Sequence, residues 1–156
     1  MFRNFGILLL LASLYTTSCK KKAKTIQDNI PYQTVNITLR PSDPLYNIAT
    51  NPPHSGLSQI GGWVYLKGGV NGIIVYRKSQ NSSADFVAME RTSTYYPDDV
   101  NAIAKVQSDN FTLKDSLSGS KWQIIDGALL AGPAIRGLRI YNTLYDNGTG
   151  LLTIKN

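Results

Sequence analysis

The chain is poor in the side chains that most often do chemistry. Its 156 residues hold a single Cys, Cys19, and a single His, His54. One Cys excludes an internal disulfide, and the two residues together exclude any site needing two thiolates or two imidazoles. A serine hydrolase needs a base beside its nucleophile. Only His54 is available, and its place after Pro52-Pro53 reads as a solvated loop. Ser118, between Leu117 and Gly119, is not a Gly-x-Ser-x-Gly elbow. Asp98, Asp99, Asp109 and Asp115 lack the spacing of a calcium loop and read as turn residues. The chain is therefore expected not to be an enzyme and to hold no metal. Long apolar runs are also missing: the longest, Phe5 to Leu14, is too short to span a bilayer.

That short run has a meaning of its own. Arg3 followed by Phe5–Leu14 has the form of a secretory signal over residues 1–18. Thr16-Thr17-Ser18-Cys19 then resembles a bacterial lipoprotein box in which Cys19 is lipidated and becomes the first mature residue. Thr16 stands where Leu is usual, and such looser boxes are similar to those of Bacteroidetes-type bacteria. The alternative is an ordinary secretory signal ending near a free Cys, which would leave an exposed thiol on an exported protein. Lys20-Lys21-Lys22-Ala23-Lys24 follows. Beside acyl chains such a run adds attraction to anionic lipid, or it serves only as a solvated tether. The expected partner is thus the membrane, through lipid on Cys19, with a Lys-rich tether over 19–30. The tether lacks the acidic residues that resemble a surface-export signal in some Bacteroidetes, which points to the periplasmic face of the cell envelope. Setting these four lysines aside lowers the net charge from +6 to +2. No basic stripe remains on the rest of the chain, which excludes a nucleic-acid partner.

Residues 31–156 are long enough for one domain with its own core. Short runs rich in Val, Ile, Tyr and Thr alternate with Gly, Asn and Asp turns, a pattern that predicts an all-β fold. Tyr32–Leu39 reads as a first strand with Val35, Ile37 and Leu39 on one face. Pro41–Gly56 is a loop with four prolines and one helical turn near Leu45-Tyr46-Asn47. Gly62–Leu66 and Gly72–Arg77 form a hairpin across Gly68-Gly69. Asp85–Glu90 is the next strand. Ile103–Val106 pairs with Phe111–Leu113 across Ser108-Asp109-Asn110. Trp122–Ile125 and Ala128–Leu130 close over Asp126-Gly127 as a two-residue hairpin. Leu138–Tyr145 turns at Asp146-Asn147-Gly148 into Leu151–Ile154.

Two segments carry a resemblance. The first is Arg91-Thr92-Ser93-Thr94-Tyr95-Tyr96-Pro97. The second is Ser118-Gly119-Ser120-Lys121-Trp122, with Asp126-Gly127 and Gly132-Pro133-Ala134 behind it. In order and spacing they resemble the paired loops of the Rieske domain family, which writes Cys-x-His, then Cys-x-x-His-Gly-Ser-x-Phe/Trp, then a Gly-Pro-Ala turn. The likeness runs over roughly Pro31 to Asn156. It implies a Rieske iron-sulfur-like antiparallel β-sandwich of short hairpins. It also implies a [2Fe–2S] cluster held by two Cys and two His. Here the ligand positions fall on Ser93, Tyr95, Asp115 and Ser118, so no cluster or other cofactor is expected. A β-sandwich of unrelated ancestry is the alternative.

Without its ligands the domain is expected to bind or to build rather than to carry electrons, as a cell-envelope lipoprotein. A redox role by fold analogy, and a glycan- or peptide-binding module, are the alternatives. Tyr95, Tyr96 and Pro97 lie at what would be the exposed loop tip, where an aromatic surface could dock an envelope protein or a glycan. Against that, Tyr95 and Tyr96 could fill the vacated cluster volume. Asp115 could accept loop amides and hydroxyls in place of metal bonds. Trp122 is expected in the core.

Overall fold

The computed structural model describes residues 29–47 and 56–156. Cys19, the signal segment, most of the tether and His54 lie outside the described residues. The fold is all-β and antiparallel. The strands are β1 (Asn36–Leu39), β2 (Trp63–Leu66), β3 (Ile73–Arg77), β4 (Phe86–Glu90) and β5 (Ala104–Val106). They continue as β6 (Thr112–Asp115), β7 (Lys121–Gln123), β8 (Leu129–Ala131), β9 (Ile140–Asp146) and β10 (Leu151–Lys155). One 3-10 turn, Pro44–Tyr46, fills the expected helical position. Asp43 caps it by accepting from the Leu45 amide at 2.8 Å, and Pro44 supplies a preset φ at its start.

Six strands form one sheet in the order β1-β10-β9-β4-β3-β2, and four form a second, β5-β6-β7-β8. Strand alternation divides the interior into two cores. Ile73, Val75, Phe86 and Ala88 face a first core with Val35, Leu39, Leu152 and Ile154. Ile74, Val87 and Met89 face the other way and meet Leu113, Trp122 and Ile124 of the second sheet. Trp122 is fully buried there. The six-stranded sheet wraps around the first core, because Ile37 of β1, at one edge, approaches Gly68 beyond β2, at the other. Strand β4 is buried on both faces over all five residues, which explains its apolar run without alternation.

Three expectations need correction. The first strand begins at Asn36, not Tyr32, because its partner β10 ends at Lys155, opposite Asn36. Upstream of that point the backbone takes side-chain partners: Val35 N donates to Asn156 Oδ1 and Asn156 Nδ2 donates to the Gln33 carbonyl. Asp126-Gly127 is not a two-residue hairpin. The Gln123 amide donates to Ala128 O and the Gly127 amide to Gln123 O, so four residues make the turn. Burying Ile124 in the second core requires that wider turn. Phe111 lies outside β6, which instead runs on to Asp115 and so reaches the second loop.

Candidate functional site

Three connections meet at one end of the second sheet: loop 1 (residues 91–103), loop 2 (116–120) and loop 3 (132–138). Loop 1 enters from β4 and is drawn in by the Thr92↔Ile103 bridge and by Ser93 N donating to Ala102 O at 2.8 Å. Ala104 in turn pairs with Asp115. The ladder therefore sets Ser93 and Asp115 on either side of the 102–104 segment, both fully buried. Within loop 1, Tyr95 N donates to Ser93 Oγ at 3.3 Å.

Loop 2 closes on Asp115. Its Oδ1 accepts from Leu117 N at 2.9 Å and its Oδ2 from Ser118 Oγ at 2.6 Å. The Ser118 and Ser120 hydroxyls are 2.9 Å apart. Ser118 has one hydroxyl hydrogen, and the shorter, charge-assisted bond to the carboxylate takes it, so Ser120 is the donor in that contact. Ser120 Oγ accepts from Ala134 N at 2.9 Å, which brings in loop 3. A relay thus runs from the Ala134 amide through two hydroxyls to a buried carboxylate. Loop 3, which contains a cis Gly132–Pro133 peptide, also reaches loop 1. The Arg136 carbonyl accepts from Thr94 Oγ1 at 2.9 Å and from Trp122 Nε1 at 2.8 Å.

Thus Asp115 and Ser118 are in direct contact, Ser93 and Tyr95 are joined locally, and loop 3 ties the two segments together. Tyr95 and Tyr96 do not fill the space between them. They are 40% and 46% exposed, with ring centroids 4.3 Å apart in an edge-on arrangement. The Tyr96 hydroxyl is pushed above the usual phenol range, first by its hydrogen bond with Tyr95 and also by the charge on Asp115. Tyr95, Tyr96, Pro97, Asp98, Asp99 and Val100 line an open groove of about 580 Å³. Asp99 serves its turn by accepting from Asn101 N at 2.8 Å. Asp109 accepts from Phe111 N and Thr112 N at 3.0 and 2.8 Å. No group of three or more His, Cys, Asp or Glu able to hold a metal occurs among the described residues.

Two features were missed in the sequence. Asn29 and Ile30, at the end of the expected tether, are fixed against this end of the domain. Asn29 Nδ2 donates to Thr94 O at 2.6 Å, Ile30 is buried, and Arg139 donates to the Pro31 carbonyl at 2.8 Å and to the Ile30 carbonyl. The second is Glu90. It ends β4 on the same face as Phe86 and Ala88, so its parity points it inward, a signal legible in the alternation. Its buried carboxylate accepts from Val70 N, Asn71 N, Thr92 N, Thr92 Oγ1 and Tyr141 OH at 2.7–3.1 Å. It therefore fastens the start of loop 1 to the β2–β3 turn.

No family model matches the chain, and no curated protein matches it. Among solved structures it is similar to the ferredoxin of carbazole 1,9a-dioxygenase from Nocardioides aromaticivorans IC177. The TM-score is 0.41 and the identity 14%, over 62% of this chain and 86% of that one. An overlap of that size fixes neither a family nor an activity.

Proposed function

We propose that the chain is a lipid-anchored protein of the bacterial cell envelope, whose domain is a Rieske-like scaffold without the ligands for a cluster. Its role is non-catalytic, in binding or in structure. The closed loop 2 carries this reading. The positions that correspond to the second ligand pair hold Asp115 and Ser118, which are bonded to each other and to loop amides. Ser93 and Tyr95 stand at the first pair. A hydroxyl, a phenol, a carboxylate and a hydroxyl do not fit a [2Fe–2S] cluster, whose irons take thiolate and imidazole. Nor does the Asp115–Ser118–Ser120 relay support a hydrolytic reading: it ends in a carboxylate, and among the described residues no imidazole stands beside it to take the serine proton. The anchor is supported by the Thr16–Cys19 box and the lysines that follow it.

The exposed Tyr95–Tyr96 pair above its groove favours a second reading, in which the loop tip docks a glycan or a peptide. The deciding measurement for the main reading is the iron content and visible spectrum of protein purified from its membrane fraction under anaerobic conditions. We expect a colourless preparation with no stoichiometric iron. A brown one with two irons per chain sinks the reading and restores an electron-transfer role.

A further inference from the structure

The place where the chain leaves the domain has a consequence for how the anchored protein sits. Asn29 is bonded to Thr94 of loop 1, and together with Thr94, Tyr95, Pro133, Ile135 and Arg136 it lines a cleft of about 340 Å³. The polypeptide that leads back to Cys19 therefore departs from the end of the domain that carries the three loops. From there β1 runs away from the tip, and the opposite end is marked by Arg40 donating to the Thr149 carbonyl in the β9–β10 turn at 2.8 Å.

Reach decides which end can meet the bilayer. Ten residue steps separate Asn29 from Cys19. Drawn straight they reach no more than about 36 Å. A domain of this size is roughly 30–35 Å across. To set the far end on the membrane, the tether would have to run the length of the domain at full extension. Setting the tip there requires no extension.

The tip's surface suits that position. Val100, Leu117 and Ile135 are 71%, 52% and 84% exposed, and Tyr95 and Tyr96 stand beside them. They come from three loops that hydrogen bonds hold together at one end of the domain, and Tyr95 borders both the groove that Val100 lines and the cleft that Ile135 lines. Aliphatic side chains flanked by tyrosines are the composition of a surface that lies at the headgroup level of a bilayer. Asp98 and Asp99 at the same loop, against Arg136 and Lys121, give the tip no positive excess. Attraction to anionic lipid thus falls to the tether lysines, and the tip contributes apolar contact.

Resting on the proposed lipid at Cys19, we infer that the three-loop tip is a membrane-contact surface, seating the domain tip-down with Tyr95, Tyr96, Val100, Leu117 and Ile135 against the bilayer. The contact is apolar, so it is retained at high salt.

The test uses the full acylated protein in vesicles of phosphatidylethanolamine and phosphatidylglycerol at three to one. A single spin label is placed through Ile135→Cys at the tip or Asn147→Cys at the far turn, both exposed positions. Acylated Cys19 carries no free thiol, and mass spectrometry reads that acylation separately. The label at the tip should show at least a several-fold higher oxygen-to-nickel-chelate collision ratio than the label at the far turn. Raising the salt to about 1 M should leave that difference in place, while Tyr96→Asp with Leu117→Asp should abolish it. If Cys19 is acylated and the two labels are equally aqueous, the tip faces a soluble partner and the inference is overturned while the anchor stands. If Cys19 carries no acyl group, the anchor and the inference fall together.

Discussion

Glu90 offers the sharpest test of how this fold is held. Its carboxylate is completely buried and accepts five hydrogen bonds. Oε1 takes Asn71 N, Thr92 N and Thr92 Oγ1, while Oε2 takes Val70 N and Tyr141 OH. In Glu90→Gln the amide carbonyl can keep the first three. The amino group must then sit where Oε2 was, 2.8 Å from the Val70 N–H, and two donors face each other. Tyr141 can turn its hydroxyl to accept, so its loss is partial. Hydrogen bonds to a charged group contribute about 1.5–3 kcal/mol each, and a buried donor left unpaired costs a further 1–3. Losing one such bond, weakening four others and stranding Val70 N–H together come to about 3–5 kcal/mol. For a domain of this size that corresponds to a fall in Tm of roughly 10–20 °C. Trp63 and Trp122, both buried, report unfolding by fluorescence. Amide exchange adds local resolution: protection should drop first at Val70, Asn71 and Thr92. A Glu90→Gln protein melting within about 3 °C of the parent, with those amides still protected, would refute the reasoning.

Three further outcomes follow from the same geometry. Gly69→Ala should prevent stable folding, since its Cβ would lie 2.2 Å from Glu90 Oε2 at φ +61. Gly61→Ala, at φ +84 with nothing within 4 Å, should cost only about 1–2 kcal/mol of backbone strain; equal melting temperatures for the two would contradict this. Burial, and then the bond to Glu90, push the Tyr141 hydroxyl well above the usual phenol range. Its folded pKa exceeds the unfolded value near 10, so its contribution is complete below about pH 10 and is lost as the pH rises beyond that. Urea denaturation from pH 8 to 11 should therefore show a steep alkaline decline in the parent and a flatter one, from a lower start, in Tyr141→Phe. Finally, the combination Ser93→Cys, Tyr95→His, Asp115→Cys and Ser118→His should take up about two irons on anaerobic reconstitution and develop visible absorption. Failure of that protein to bind iron while folded would count against the correspondence of the four positions.

The strand order of residues was legible because turn chemistry and alternation agree. Gly68-Gly69, Ser108-Asp109-Asn110 and Asp146-Asn147-Gly148 each separate strands that pair as expected. Boundaries failed where a partner rather than the local sequence decides, as at Tyr32, beyond the end of β10. The turn at Asp126-Gly127 failed because burial of Ile124 outweighed the preference of the dipeptide. At the site, the acceptor role of Asp115 was readable from its chemistry, since a carboxylate can take loop amides and hydroxyls. The outward position of Tyr95 and Tyr96 was not, since aromatic residues are equally at home in a core or on a surface. Asn29 was hidden because its partner, Thr94, lies 65 residues away in the chain.

The Asp115–Ser118–Ser120–Ala134 chain of hydrogen bonds is made wholly of groups that the ribosome supplies. A loop finished in that way is complete the moment the polypeptide folds. Its links all fall between Asp115 and Ala134, so it can close as soon as that one stretch of chain has folded, without waiting for the distant strands.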